Sequence, residues 1–423
     1  MTRRTALAVA ACSITAYLLL GTFGSADMWW LGDLKVYRQG GLEVLAGDGE
    51  LYTIRPGRLP FTYTPWAGLT FTPLAWLPWG AVEVIGVAGN LVLLVVATWL
   101  AWGIVGSRGD RVKATALTAA VLLWTEPVQE NLRFGQINLL LLVLVLSDFA
   151  RARGARFAGV GVGLAAGLKL TPAIFIPYLL LTGRVREGLT ALGVFVATFA
   201  AAFAVLPREC ADYWGGLFLD DTRIGLAQFP GNQSVHGAVT RQFGAQTPPG
   251  WLWPLLALSV AAVGMTLAVR AARRGAALTG VGLCALTALL VSPISWTHHW
   301  AWALPLVVVL IDRVRRTRAP AATLALVAVL AVAAAYPMHR ARVSGVLPSG
   351  IVWTVPFGDG GELNLHGWQL LVGNAYVLVG LAVLVAGVWS LVAERRRITC
   401  STGLAPVAEP DPDPTSYTRR TFS

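Results

Sequence analysis

The chain is poor in charge. Of its 423 residues 13% are Asp, Glu, Lys or Arg and 56% are hydrophobic, with a mean hydropathy of +0.63. Soluble domains carry about 25% charged residues, so a soluble globular fold is excluded. Cysteine is scarce as well. Cys12, Cys210, Cys284 and Cys400 show no CxxC spacing, which excludes a zinc ribbon or a disulfide framework and leaves packing or incidental thiols. Internal repeats are missing, as is any glycine-rich loop of the phosphate-cradling type. No hydrophilic stretch is long enough to form a nucleotide-binding domain.

What charge there is has a pattern. Arginine and lysine gather in short clusters at Arg3-Arg4, Arg108-Arg111-Lys113, Arg151-Arg153-Arg156, Arg184-Arg186, Arg270-Arg273-Arg274, Arg313-Arg315-Arg316-Arg318 and Arg395-Arg396-Arg397, each bordered by apolar sequence. Basic residues are enriched in cytoplasmic loops, so placing every cluster inside demands an even number of crossings between neighbours. The expectation is an all-α polytopic membrane protein of about twelve helices with both termini in the cytoplasm. The net charge of +11 follows from this topology, because the positive residues are dispersed over short loops and make no nucleic-acid surface. The first apolar run, 5–23, is longer than a signal-peptide core and reads as a retained helix.

The membrane domain is expected over residues 1–398, with outward loops at 24–81, 207–250 and 337–368 and a proline-rich, disordered cytoplasmic tail at 399–423. Within 24–81 the Pro/Trp/Phe-rich piece from Phe61 to Trp79 is too interrupted to cross and is expected as an interfacial or re-entrant element. The stretch 157–183 is broken at Lys169-Leu170-Thr171-Pro172, giving either two half-depth helices or one kinked crossing. Lys169 is one of three lysines and lies in apolar surroundings, where charge marks function unless the side chain snorkels to the interface.

Candidate chemistry collects on the outward side. Asp33 follows the first helix, with Lys35 and Tyr37 beside it and Tyr63 further on. Gln136, Asn138, Asn232, Gln233, Ser234 and His236 offer hydrogen bonds to a sugar or anion, or cap helix ends. Trp296, His298 and His299 cluster at the outer end of an apolar segment. Adjacent histidines point in different directions on a helix, so one of the two is expected to face a ligand, and with no third ligand at suitable spacing no metal site and no cofactor are expected. A secondary transporter or lipid flippase shares this general layout, but such folds often show internal repeats.

The ordered set Asp33-x-x-Val36-Tyr37, Phe61-x-Tyr63-x-Pro65, Asn131-x-x-Phe134-Gly135-Gln136-x-Asn138, Gly167-x-Lys169-x-x-Pro172, Gly231-Asn232-Gln233-Ser234 and Ser292-Pro293-x-Ser295-Trp296-x-His298-His299 resembles glycosyltransferase family 87. These are actinobacterial mannosyltransferases of the GT-C fold. The resemblance runs from about residue 30 to about residue 310. It implies transfer of mannose, with inversion, from polyprenyl-phosphate mannose to a mannosylated glycolipid or lipoglycan, most often as an α-1,2 linkage. It also implies Asp33 as general base, donor contacts from His298, His299, Lys169, Arg241, Gln136 and Asn138, with Arg133 a further cation, and acceptor or cavity contacts from Lys35, Tyr37, Tyr63, Asn232, Gln233, Ser234, His236 and Trp296. The acceptor, the linkage position and arabinose as an alternative donor sugar stay open at this point.

Overall fold

The structure, a computed structural model, describes residues 1–24, 26–339 and 346–402. The first half of the fold is built from α1 (Arg3–Phe23), α2 (Gly32–Ala46), α3 (Pro65–Ala75), α4 (Trp79–Val105), α5 (Arg111–Leu122), α6 (Glu126–Phe134), α7 (Asn138–Ala150), α8 (Val160–Leu168) and α9 (Phe175–Leu181). It continues with α10 (Val185–Val205), α11 (Pro207–Trp214), α12 (Val235–Phe243), α13 (Leu252–Arg273), α14 (Ala277–Val291), α15 (Leu304–Thr317), α16 (Pro320–Ala333), α17 (Trp368–Gly373) and α18 (Ala375–Thr402). The antiparallel pair β1 (Tyr336–His339) and β2 (Val346–Ser349), in register Tyr336↔Ser349 to His339↔Val346, forms the one sheet among the described residues.

Five helices, α1, α4, α10, α13 and the 375–393 part of α18, are long and apolar enough to cross a bilayer, each reaching or passing the length of about 20 residues that a span needs. The α6–α7 pair adds a sixth if its 115° bend is counted within one span. The expected twelve crossings are therefore not reached by length. Several apolar runs fold as short pieces instead, including Thr171–Leu181, Ala277–Val291 and Pro320–Ala333. Little of the long helices is buried, 17% of the α1 window and 22% of the α10 window, so Leu189, Leu192, Val196, Phe199 and Phe203 on α10 face outward. Apolar surface on that scale requires a lipid solvent. The protein is a helical, multi-pass membrane protein.

The expected loop 24–81 is helical in two places. Residues Gly32–Ala46 form α2, which lies against α3, and Gly41 faces the backbone of Phe71 so closely that a Cβ there would sit 2.5 Å from the Phe71 carbonyl oxygen. Glycine is required by this close approach, and the Gly40-Gly41 pair also disguises the helix in the sequence. Thr64 caps α3 by accepting from the Ala67 N–H at 3.2 Å, with Pro65 at the first helical position, where its missing N–H costs nothing. At 11 residues α3 is too short to span, as the proline content predicts. The 207–250 segment likewise contains α11 and α12. Of the expected disordered tail, Thr399–Thr402 extend α18, and residues 403–423 lie outside the described residues. Part of the expected 337–368 loop, residues 340–345, lies outside them too.

Candidate active site

The site begins where α2 and α6 meet. The Leu31 N–H donates to the Arg133 carbonyl at 2.7 Å, which fixes the start of α2 against the end of α6. Two residues on, Asp33 stands in the first turn of α2, where the helix dipole favours a negative side chain. It is not in a loop, as the sequence suggested. Helix α6 ends at Gly135, held at φ +68°, with its N–H on the Leu132 and Asn131 carbonyls. This left-handed cap turns the chain sharply and projects Gln136 toward Asp33.

Gln136 then fixes the carboxylate. Its Nε2 donates to Asp33 Oδ2 at 2.7 Å, while its Oε1 accepts from the Tyr37 hydroxyl at 3.0 Å and the Tyr63 hydroxyl at 3.4 Å. Because tyrosine hydroxyls occupy the amide oxygen, the amide nitrogen is the end turned to the carboxylate. The Tyr37 and Tyr63 hydroxyls are themselves 2.9 Å apart.

A second nest carries the cation. Lys169 is at the break between α8 and the 3-10 turn Thr171–Ile174, with extended backbone at φ −148°, ψ 133°. The expected interruption is present, as two short helices separated at this lysine. Its Nζ lies 3.1 Å from His299 Nε2 and 3.3 Å from Asn138 Oδ1, which accepts from it, and stands 5.4 Å from the Tyr63 ring centroid. The Asn138 amide donates to Asn131 Oδ1 at 3.2 Å, and the Asn131 amide donates to the His298 carbonyl at 2.6 Å. The asparagines of α6 and α7 thereby hold the lysine and the histidine turn in one frame.

Asp33, Tyr63, Gln136, Lys169, Trp296, His298 and His299 all line a single cavity of about 650 Å³. Burial pushes the Asp33 carboxyl up to about 6, against the Gln136 hydrogen bond and the Lys169 charge, which pull it down. Burial first, and then the Lys169 charge, draw both imidazoles well below their ordinary range, so they are uncharged near neutral pH. Their part is hydrogen bonding, not charge. His298 Nε2 is buried with no hydrogen-bond partner among the described residues.

Other predicted residues stand elsewhere. Tyr37 and Asn138 are buried one layer behind the cavity wall. Lys35 points away, exposed, donating to the Trp30 carbonyl at 2.7 Å. Arg241, expected on the donor, does not line the cavity. Its buried guanidinium is consumed by Asn374 Oδ1 at 2.7 Å and by the carbonyls of Asn232 at 2.9 Å and Phe229 at 2.9 Å. Asn232, Gln233 and Ser234 are also framework. The Ser295 N–H donates to Asn232 Oδ1 at 2.9 Å, the Gln233 N–H donates to the Ser295 carbonyl at 2.7 Å, and the Ser234 hydroxyl caps α12 through the Gly237 N–H at 3.1 Å. Together they buttress the segment that carries Trp296 and the histidines. His236 faces Asp221 at 3.7 Å and the Trp253 ring, away from the cavity. Arg133 donates to the Asp27 carbonyl at 3.1 Å and lies 3.6 Å from Glu130.

Glu130, Arg223, Trp30 and Trp353 line the cavity without having been singled out by sequence. Glu130 had a signal, an acidic side chain one residue before the Asn131 motif. Arg223 had none, being one arginine in the connection between α11 and α12. Among the described residues, no three His, Cys, Asp or Glu side chains converge as metal ligands would.

Fold and cavity together define a multi-pass membrane protein with an acid, a cation and neutral donors around one chamber. The family model for glycosyltransferase family 87 matches residues 61–293, a span that includes Tyr63, Gln136, Asn138 and Lys169 and leaves Asp33, His298 and His299 outside. The chain is 33% identical over 383 residues to the polyprenol-phosphate-mannose-dependent alpha-(1-2)-phosphatidylinositol mannoside mannosyltransferase of Mycolicibacterium smegmatis, covering 84% of this chain and 82% of that one. To the protein of the same name from Mycobacterium tuberculosis it is 32% identical over 402 residues, covering 89% of each. It is 36% identical over 283 residues to the phosphatidylinositol pentamannoside mannosyltransferase of M. smegmatis, covering 65% and 68%. No solved structure matches it. The chain belongs to glycosyltransferase family 87 and is a membrane-bound glycosyltransferase; the transporter or flippase alternative is not favoured.

Proposed function

We propose that this enzyme transfers mannose from polyprenyl-phosphate mannose to a phosphatidylinositol mannoside, forming an α-1,2 linkage with inversion. The names of its relatives supply the donor and acceptor classes. The observation that carries the reading for this chain is the Asp33 carboxylate, held by Gln136 in the same cavity as the Lys169–His299 pair.

Asp33 takes the proton of the acceptor hydroxyl as its oxygen bonds to the anomeric carbon. The bond from that carbon to the phosphate oxygen breaks on the opposite face, and its electron pair leaves with the phosphate. The leaving group needs no proton, so one carboxylate suffices, unlike the two-carboxyl arrangement of glycosidases. Negative charge grows on the phosphate during the step, and Lys169, with a neutral donor from His298, is where that charge is met, while His299, taken up by the Trp296 N–H and Lys169, holds the lysine in place. Asn138 keeps Lys169 in position, and Tyr63 lines the cavity with its ring beside Lys169 and its hydroxyl on Gln136. Trp296 and the other aromatic walls offer faces for a sugar ring.

The architecture in this reading is GT-C-like. The basic clusters and both termini lie in the cytoplasm, and the cavity opens on the opposite side, where a lipid-borne sugar is the available donor. The break between the short α8 and α9, at Lys169, Leu170, Thr171 and Ile174, and the end of α14 line the cavity from within the bundle, as interrupted helices do where they face a wet chamber.

The test is transfer by the purified full-length protein in lipid nanodiscs, with labelled polyprenyl-phosphate mannose and a panel of phosphatidylinositol mannosides of rising mannose number, followed by linkage determination. An α-1,2-linked product on a phosphatidylinositol mannoside is expected. Transfer only from a different lipid-linked sugar, such as an arabinose donor, would replace the donor assignment.

A further inference from the structure

The proposed reaction, on which the following rests, brings two lipid phosphates to one cavity: the phosphodiester of the donor and the phosphodiester inside the phosphatidylinositol of the acceptor. Among the described residues lining that cavity, two carry cationic side chains, Lys169 and Arg223. Their settings differ. Lys169 is engaged with His299 and Asn138, in the same cavity and within the field of Asp33. Arg223 closes the 3-10 turn Asp221–Arg223, in the connection between α11 and α12.

The Arg223 guanidinium is positioned but not used up. Its Nη2 donates to the Tyr52 carbonyl at 2.6 Å, the one described hydrogen bond it makes, which leaves most of its five N–H donors uncommitted. Neighbouring carboxylates do not neutralise it among the described residues. Asp220 Oδ1 accepts from the Thr222 hydroxyl at 2.6 Å and the Thr222 N–H at 3.2 Å, and Asp221 faces His236. Tyr52 stacks on Tyr213 with ring centroids 5.6 Å apart, and both rings line the cavity, so the carbonyl that holds the arginine belongs to a rigid part of the wall.

The surroundings of Arg223 fix the kind of ligand. Phe218, Leu219, Ile224 and Leu226 are 41%, 74%, 40% and 60% exposed, flanking the arginine on both sides in sequence. Exposed apolar side chains around a cation mark a segment that dips into the bilayer boundary with its charge at headgroup depth. A planar fork of donors at that depth, facing a cavity, matches the two free oxygens of a phosphodiester.

We propose that Arg223 binds the phosphodiester of the acceptor's phosphatidylinositol, so that the acceptor docks by its lipid headgroup while its terminal mannose reaches Asp33. Lys169 and Arg223 then divide the two phosphates between them. The enzyme selects lipid-anchored acceptors through a contact remote from the reacting hydroxyl.

The experiment compares wild type, Arg223→Ala and Arg223→Lys, full-length in nanodiscs, with labelled polyprenyl-phosphate mannose and two acceptors: a phosphatidylinositol mannoside and an alkyl mannoside that lacks the phosphate. For Arg223→Ala the loss in kcat/KM on the phospholipid acceptor exceeds the loss on the alkyl mannoside by about tenfold or more, the usual weight of a charge-assisted contact, and it resides in acceptor KM. Arg223→Lys falls between the two. Equal losses on both acceptors, no loss on either, or a rise confined to donor KM would overturn the assignment. If wild type transfers to neither acceptor, the transferase reading itself fails, a result distinct from equal losses in the variant.

Discussion

Gln136 lowers the proton affinity of the buried base, and its replacement by methionine tests that directly. Methionine keeps the length and roughly the volume of the side chain but removes the Nε2–H that Asp33 Oδ2 accepts at 2.7 Å. A hydrogen bond to a charged group contributes about 1.5–3 kcal/mol, and one pH unit corresponds to about 1.4 kcal/mol. Loss of the bond therefore raises the Asp33 carboxyl by about one to two units from its value of about 6. The carboxylate is the active form, so activity falls as pH drops through that value. The acid limb of the pH dependence of kcat/KM, which reports the free enzyme, moves from near 6 toward about 7–8, with the high-pH plateau reduced far less than the rate at pH 6.5. An acid limb that stays in place in an otherwise folded and active Gln136→Met protein would refute the assignment of Gln136 as the donor, of Asp33 as the base, or both.

Two further outcomes concern stability. Burial holds Asp33 at about 6 against an ordinary 3.8, so the unfolded chain gives up this proton first and stability decreases as pH rises from about 4 to about 6. Asp33→Asn removes that cost. It should raise the unfolding free energy at pH 8 by an amount on the order of 1–3 kcal/mol, with the gain vanishing near pH 4, as read from denaturation in detergent. A gain independent of pH would contradict this. At Gly135, alanine meets both the left-handed backbone and Leu34, whose Cβ would be 2.7 Å from the new methyl. Gly135→Ala should lose more than about 1 kcal/mol of stability and reduce turnover by displacing Gln136, whereas wild-type stability and rate would show that the α6–α7 turn tolerates change.

The membrane class was legible because apolar runs between basic clusters leave no other solvent for them, and the long helices α1, α4, α10, α13 and α18 stand close to where those runs lie. The crossing count was not, because short apolar runs look alike whether they span, bend or stop within the bundle. Helix α2 was hidden by Gly40-Gly41, and α6 by its short polar sequence Glu126–Phe134, whose apolar face of Val128 and Leu132 makes no continuous apolar run. Asp33, Gln136, Lys169 and the histidine pair could be singled out because polar groups in apolar surroundings are costly and therefore conspicuous. The same criterion gathered Arg241, Asn232, Gln233 and Ser234, which satisfy buried backbone instead. Composition cannot tell a polar group that binds a ligand from one that braces the wall behind it. Arg223 failed in the opposite sense. It sits in an ordinary connection of mixed polar and apolar residues, and its place on the cavity becomes visible once α11, α12 and the 61–63 segment are folded around it.

The most direct measurement is the rate of mannose transfer by Asp33→Asn with donor occupancy followed in parallel, since asparagine preserves the shape and the Gln136 contact while removing the base. The account predicts a fall in transfer of about 10²–10⁴-fold with donor binding within a few-fold of wild type. Transfer near the wild-type rate by a fully occupied Asp33→Asn enzyme would contradict it.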